Sequence, residues 1–317
     1  MIQVGMLAAM LATAALALAE GPTLKQAHAA LQAGEADKAL QLLASLPPSA
    51  EAHNLRCRVE LTLQQWNAAA DECQQAVNMD GSNSDYHMWL GRALGEKADR
   101  ASFLSAYSLA KRVRREFEAA VHANPRNAAA LSDLGEFYYS APGIVGGGDD
   151  KAESVAKELD RIDKARAHEL RGRIAESQKD YGTAERELKE AIAASAHPAF
   201  QWMTLASFYR NRKRWTDMEA AVQSGAKAAL RDKQAGVALS DGASLLIKTR
   251  RNPELAAKML EDYLAESSKS EQAPAFVAYT RLAQLKAQLG DKAEAQKDRQ
   301  VALALAHDYQ PARNLRF

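Results

Sequence analysis

Phe103, Tyr107, Ala110, Val113, Phe117 and Ala120 follow one another at steps of three and four residues, an apolar stripe down one side of a single helix. Elsewhere a longer regularity ties shorter helical stretches together. A small residue in one helix is followed twelve positions later by a small or medium residue in the next, and seven positions further by another on the same face. Cys57, Ala69 and Ala76 show the triplet, as do Gly172, Ala184 and Ala191, and Ala206, Met218 and Gly225. Ser244, Ala256 and Tyr263 repeat it, Ala283, Ala295 and Ala302 close the series, and Ala27, Ala39 and Leu46 open it with a poorer match. Antiparallel helices approach closely only where neither carries bulk at the crossing, and seven residues return to the same helical face. The pattern therefore predicts helix pairs stacked in succession, with larger apolar residues filling the layers.

Composition narrows this to an all-α fold. Only 6% of the residues are aromatic, and Ala, Leu, Glu, Lys and Gln, the strong helix formers, are abundant, so strands have little to build on. A chain of 317 residues that is 47% hydrophobic can bury a substantial core. Its net charge of +1 supplies no basic field of the kind nucleic-acid binders carry, so no nucleic-acid partner is expected.

The stretch WMTLASFY, Trp202 to Tyr209, sets Trp, Leu, a small residue and Tyr at the spacing W-x2-L-G-x2-Y, and LSDLGEFY, Leu131 to Tyr138, repeats it with Leu for Trp. KDYGTAERELKEAI and GDKAEAQKDRQVAL fit the second-helix half, and Asn124-Pro125-Arg126-Asn127 fits a stop between repeats. On these residues the chain resembles the tetratricopeptide repeat (TPR) proteins, specifically exported bacterial ones. The resemblance implies a right-handed α-solenoid of about eight helix pairs over residues 20–317, whose first helices line a concave groove that takes partner segments.

Two units depart from the spacing. Gly91 finds a partner at Val113, ten residues late, so the residues near 96–112 should lengthen the second helix at its N-terminal end into a spur bearing Lys111, Arg112, Arg114 and Arg115. Gly135 meets Ala152 five residues late, making residues 140–150, SAPGIVGGGDD, an insertion in the turn of a pair. Glycine-rich turns before helices cradle phosphates, but no strand precedes this one, no GK[ST] ends it, and Asp149 and Asp150 would repel an anion. A structural loop is the better reading, with Asp150 capping the next helix and Glu153 reaching back. A similar APG…GGG…DKA loop occurs in exported bacterial TPR proteins.

Candidate chemistry is sparse. His28, His53, His87, His122, His168, His197 and His307 fall in different repeats without metal spacing, and no nucleophile motif appears, so no metal, no cofactor and no catalytic residues are expected. Cys57 and Cys73 face each other within one pair, either as packed thiols or as a disulfide if the compartment is oxidising. Continuing the helical spacing places Asn54, Arg58, Arg92, Glu136, Tyr139, Arg173, Glu176, Arg210 and Lys248 on the groove. Its arginines would suit an acidic segment or a terminal carboxylate. Residues 1–19 read as a signal peptide: an apolar run ends at Ala17-Leu18-Ala19, although no Lys or Arg precedes it. An uncleaved anchor or a mis-set start are the alternatives; no cysteine marks a lipid anchor. The expected molecule is a periplasmic or secreted, non-enzymatic scaffold that binds a protein or peptide in its groove, with membrane contact only if residues 1–19 stay attached. An enzyme or enzyme subunit using the 140–150 loop, and a membrane-tethered adaptor in envelope transport or secretion, are the competing readings.

Overall fold

The computed structural model describes residues 23–266 and 268–317, and among them every regular element is helical. The segment read as a signal peptide lies outside the described residues. Eight pairs follow in order: α1 (Leu24–Ala33) with α2 (Ala36–Ala44), α3 (Ala50–Thr62) with α4 (Trp66–Met79), α5 (Ser84–Ala98) with α6 (Phe103–Ala123), and α7 (Ala128–Ser140) with α8 (Asp149–Leu159). Then come α9 (Lys164–Ser177) with α10 (Tyr181–Ala194), α11 (Pro198–Asn211) with α12 (Trp215–Ala229), α13 (Val237–Thr249) with α14 (Pro253–Ala265), and α15 (Ala275–Gln288) with α16 (Lys292–Leu305). A short α17 (Gln310–Arg313) ends the chain. Side-chain caps start many of these helices, among them Thr23, Ser49, Asn83, Asn127, Asp163 and Asp180.

The small-residue triplets sit in the core. Ala39, Cys57, Ala69, Ala76, Ala184, Ala191, Ala206, Met218, Ala256, Tyr263, Ala283, Ala295 and Ala302 are fully buried. Ser244 is not: it is half-buried, and the tight approach in that pair falls on Gly242, where a methyl group would come within 2.4 Å of Met259 Cε. Gly135 likewise meets Leu170 of α9 in the next pair rather than Ala152, and Gly91 lies against the Phe117 ring rather than Val113. Leu170 reaches across from the next pair and the Phe117 ring fills the crossing of its own pair, neither of which the chain spacing alone could indicate.

A left-handed residue turns the chain within six pairs: Gly34, Gln64, Lys179, Lys213, Arg250 and Gly290. Only two of the six are glycine, so four turns lack the usual helix-stop signal. Three pairs carry a common bolt. His53 and Glu72 approach to 2.6 Å, His168 and Glu187 to 2.8 Å, both nineteen residues apart in sequence. His87 and Glu116 repeat the contact at 2.7 Å but twenty-nine residues apart, with the long α6 between them. Three of the seven histidines that look scattered in the sequence thus share one role. A disulfide joins Cys57 of α3 to Cys73 of α4.

The stack bends until its ends meet. Gly34 has φ +75°, and a Cβ there would lie 2.3 Å from the Ala275 backbone nitrogen, so both the turn and the close approach of α15 need glycine. Phe276, fully buried, joins Ala27, Leu31 and Leu43 in one apolar cluster with Tyr309, whose ring meets it edge-on at 4.8 Å. Around this cluster Arg58 forks onto Glu271, with Nε donating at 2.8 Å and Nη2 to the other oxygen. Gln32 donates to Glu271 at 3.1 Å, and the His307 backbone N–H donates to Asp37 at 2.9 Å. First and last pairs therefore form a seam, and the solenoid is a closed ring.

Candidate functional site

Closure turns the concave face into a lumen. Three adjoining cavities of about 600, 740 and 580 Å³ occupy it. The first two share Trp66, Trp89 and Arg92 in their walls, and the first and third share Gln272 from the α14–α15 connection. First helices of successive pairs supply most of the lining, because the wedge between pairs leaves their outward faces pointing to the centre.

In the N-terminal half the lumen is aromatic, and two of its arginines, Arg58 and Arg92, are paired with acids of the chain itself. Trp89 lies between two guanidinium groups, Arg58 at 5.1 Å and Arg92 at 4.6 Å from its ring. Arg92 also donates to Asp133 at 2.6 Å. Burial nevertheless pushes the Asp133 carboxyl up, outweighing the arginine beside it, and burial pushes Glu136 up as well. Tyr139, read from the sequence as a groove residue, is in none of the three cavity walls; its hydroxyl is raised to about 12, chiefly by desolvation.

In the C-terminal half Asp241, Lys248 and Arg210 have no ion pair among the described residues. Asp241, Ser244 and Lys248 of α13 line the third cavity together with Gln201, Arg173 and Arg210. Asp241 is exposed to the cavity but ringed by protein, and the loss of bulk water pushes its carboxyl up to about 6; Arg281 and Lys248 act on it only through longer-range attraction. Arg173 lies 3.6 Å from Glu176, and Arg210 donates to the amide oxygen of Asn211 at 2.9 Å. Gln201 is 9% exposed, and its side-chain oxygen has no hydrogen-bond partner among the described residues.

Of the residues read from the sequence, Arg58, Arg92, Arg173, Arg210 and Lys248 line the lumen, with Glu136 in the second cavity. Arg58 and Arg92 are occupied by acidic partners of the chain itself. Asn54 is only 4% exposed, too covered to meet a partner segment. Trp66, Trp89, Gln201, Asp241 and Arg281 were not singled out. Trp89 carried a signal, since it precedes Arg92 by three residues on one helical face.

The glycine loop satisfies itself. N–H groups of Val145 and Gly147 donate to Pro142 O, that of Gly146 to Gly143 O, and that of Gly148 to Tyr138 O, so they are not gathered toward an anion. A Cβ on Gly147 would lie 1.8 Å from Ala141 O, which fixes the residue type. The capping box at Asp150 does not form: α8 begins at Asp149, Gly148 stands at the cap without a side-chain bond, and Glu153 receives Arg171 Nε at 3.2 Å. An arginine across the turn is a stronger partner for that carboxylate than a backbone N–H. Helix α6 runs 21 residues; its stripe is buried from Val113 onward, while Phe103 and Leu104 at its start are 86% and 80% exposed.

Among the described residues no three His, Cys, Asp or Glu side chains gather as metal ligands would, and no helix is long and apolar enough to cross a membrane. No family model and no curated protein matches the chain. Solved structures do. A thermophilic TPR protein of Thermus thermophilus superposes at a TM-score of 0.50 with 20% identity, covering 59% of this chain and 98% of its own. The fold is that of the tetratricopeptide repeats. The C-terminal part of a TPR repeat-containing protein from Cytophaga hutchinsonii matches 93% of the chain at 13% identity and covers all of its own length. The Cut9–Hcn1 hetero-tetramer of the APC/C matches 88% at 12% identity, covering 57% of that chain. With TM-scores of 0.43 and 0.40, these two likenesses add nothing to the TPR assignment.

Proposed function

We propose that this chain is a non-catalytic interaction scaffold that takes an extended segment of a partner protein into its lumen, and that it works in the bacterial envelope after export and removal of residues 1–19. What carries the reading is the lumen itself: adjoining cavities whose polar and aromatic lining comes from the first helices of most repeats. A TPR fold supports an interaction role, because its repeats offer a continuous surface and little else. The disulfide between Cys57 and Cys73 agrees with an oxidising compartment. Site-specific photo-crosslinking tests the site. A benzophenone side chain at Gln284, in the first cavity, should trap a polypeptide whose crosslinked residues map to one segment. The same group at Phe103, on the exposed start of α6, serves as the outside control. Trapping at Phe103 alone overturns the lumen reading. Sequencing of the mature N-terminus should begin at Glu20 if export is right.

A further inference from the structure

The two halves of the lumen differ in what they leave unpaired, and the C-terminal half has a polarity. Asp241, Ser244 and Lys248 lie on one face of α13 at steps of three and four. At 1.5 Å per residue, the seven-residue interval sets the acidic and basic ends about 10 Å apart. Helix α11 runs alongside with the same polarity. Gln201, its fourth residue, corresponds to Asp241, the fifth of α13, and Arg210 near its C-terminal end corresponds to Lys248. One end of the cavity thus carries the Asp241 carboxylate, with Gln201 in the same wall. The other gathers cations, Lys248 and an Arg210 whose hydrogen bonds go only to a neutral amide.

Asp241 is an ionisable group ringed by protein with no salt bridge among the described residues, which is costly to maintain. That cost is offset when something binds there. A simple anion would serve the cationic end and repel the acidic end; a simple cation would do the opposite. A ligand carrying both charges, spaced as the poles are, serves both. A polyproline II backbone advances about 3.1 Å per residue and returns to the same face every third residue, so side chains three apart share one side and stand about 9 Å from each other.

Resting on the lumen reading above, we infer that this half of the ring selects a peptide in polyproline II conformation in which a basic side chain and an acidic side chain stand three residues apart, the base against Asp241, the acid against Lys248 and Arg210.

Fluorescence anisotropy on the full chain with four capped, labelled nonapeptides tests this. One carries Lys and Glu three residues apart, one carries them adjacent, one has Gln in place of Lys, and one has Gln in place of Glu. The three-residue spacing should bind at least tenfold tighter than each of the others in low salt. Asp241→Asn should erase the discrimination at Lys and leave that at Glu, and Lys248→Gln should do the reverse; circular dichroism confirms folding of both. Equal affinity for all four peptides, no binding of any, or discrimination untouched by both substitutions overturns the inference. If that happens while Gln284 still traps a partner segment, the scaffold reading stands without it; failure of both removes the lumen as the site.

Discussion

Arg92 and Lys248 occupy similar places on the inner helices of one ring, yet they have opposite circumstances. Arg92 is held by Asp133 and stacked on Trp89, whereas Lys248 faces the cavity with no acid within ion-pair distance among the described residues. In the N-terminal half of the lumen the arginines Arg58 and Arg92 are held by Glu271 and Asp133. In the C-terminal half Asp241, Lys248 and Arg210 have no such partner among the described residues. The lesson is that groove position alone does not make a residue available: its neighbours decide whether the charge belongs to the fold or to a partner.

The sharpest way to break the contrast is to open the ring. Phe276→Ala removes a fully buried ring from the seam and should cost about 3–5 kcal/mol by chemical denaturation, with a larger radius of gyration in small-angle scattering. An unchanged radius would mean that the ends are held by the polar seam alone. Next in size, Arg92→Ala should cost about 2 kcal/mol, because it leaves the largely buried Asp133 without its partner. In the other half, Asp241→Asn should stabilise. The folded state holds the Asp241 proton more tightly than the unfolded chain does, so ionisation opposes folding as pH rises from about 4 to about 6. The gain from Asn is therefore expected in full above about pH 6 and gone near pH 4, and with the group open to the cavity it should stay under about 1 kcal/mol. Melting curves at pH 4 and pH 8 read it; a loss of stability at pH 8 would mean that Asp241 has a partner in the fold. Smallest of all, Lys248→Gln should move stability by no more than about 0.5 kcal/mol, since it removes no contact. A drop comparable with that of Arg92→Ala would erase the distinction between the halves.

Local physics made much of this legible beforehand. Withheld bulk at intervals of twelve and seven gave the helix pairs, and departures from it marked two places where the chain does something extra: the long α6 and the glycine loop. Elsewhere the same arithmetic missed. It put Ser244 at a crossing that Gly242 makes, and Gly135 against its own pair rather than Leu170, because side-chain reach across pairs is not a function of spacing. It offered Arg58 as a ligand for an acidic partner when Glu271, 213 residues away, already holds it.

The sequence by itself determined the helices, their pairing and their order, because these depend on periodicity, caps and neighbouring side chains. Only the tertiary structure decided that the first and last pairs meet, that the groove is a lumen, and which of its charges remain unpaired. The reason is cumulative: each repeat contributes a small rotation set by packing with its neighbour, and whether eight of them sum to a closed turn depends on every interface together. Ala275 sits against Gly34, and contacts between residues more than two hundred positions apart hold the first and last pairs together.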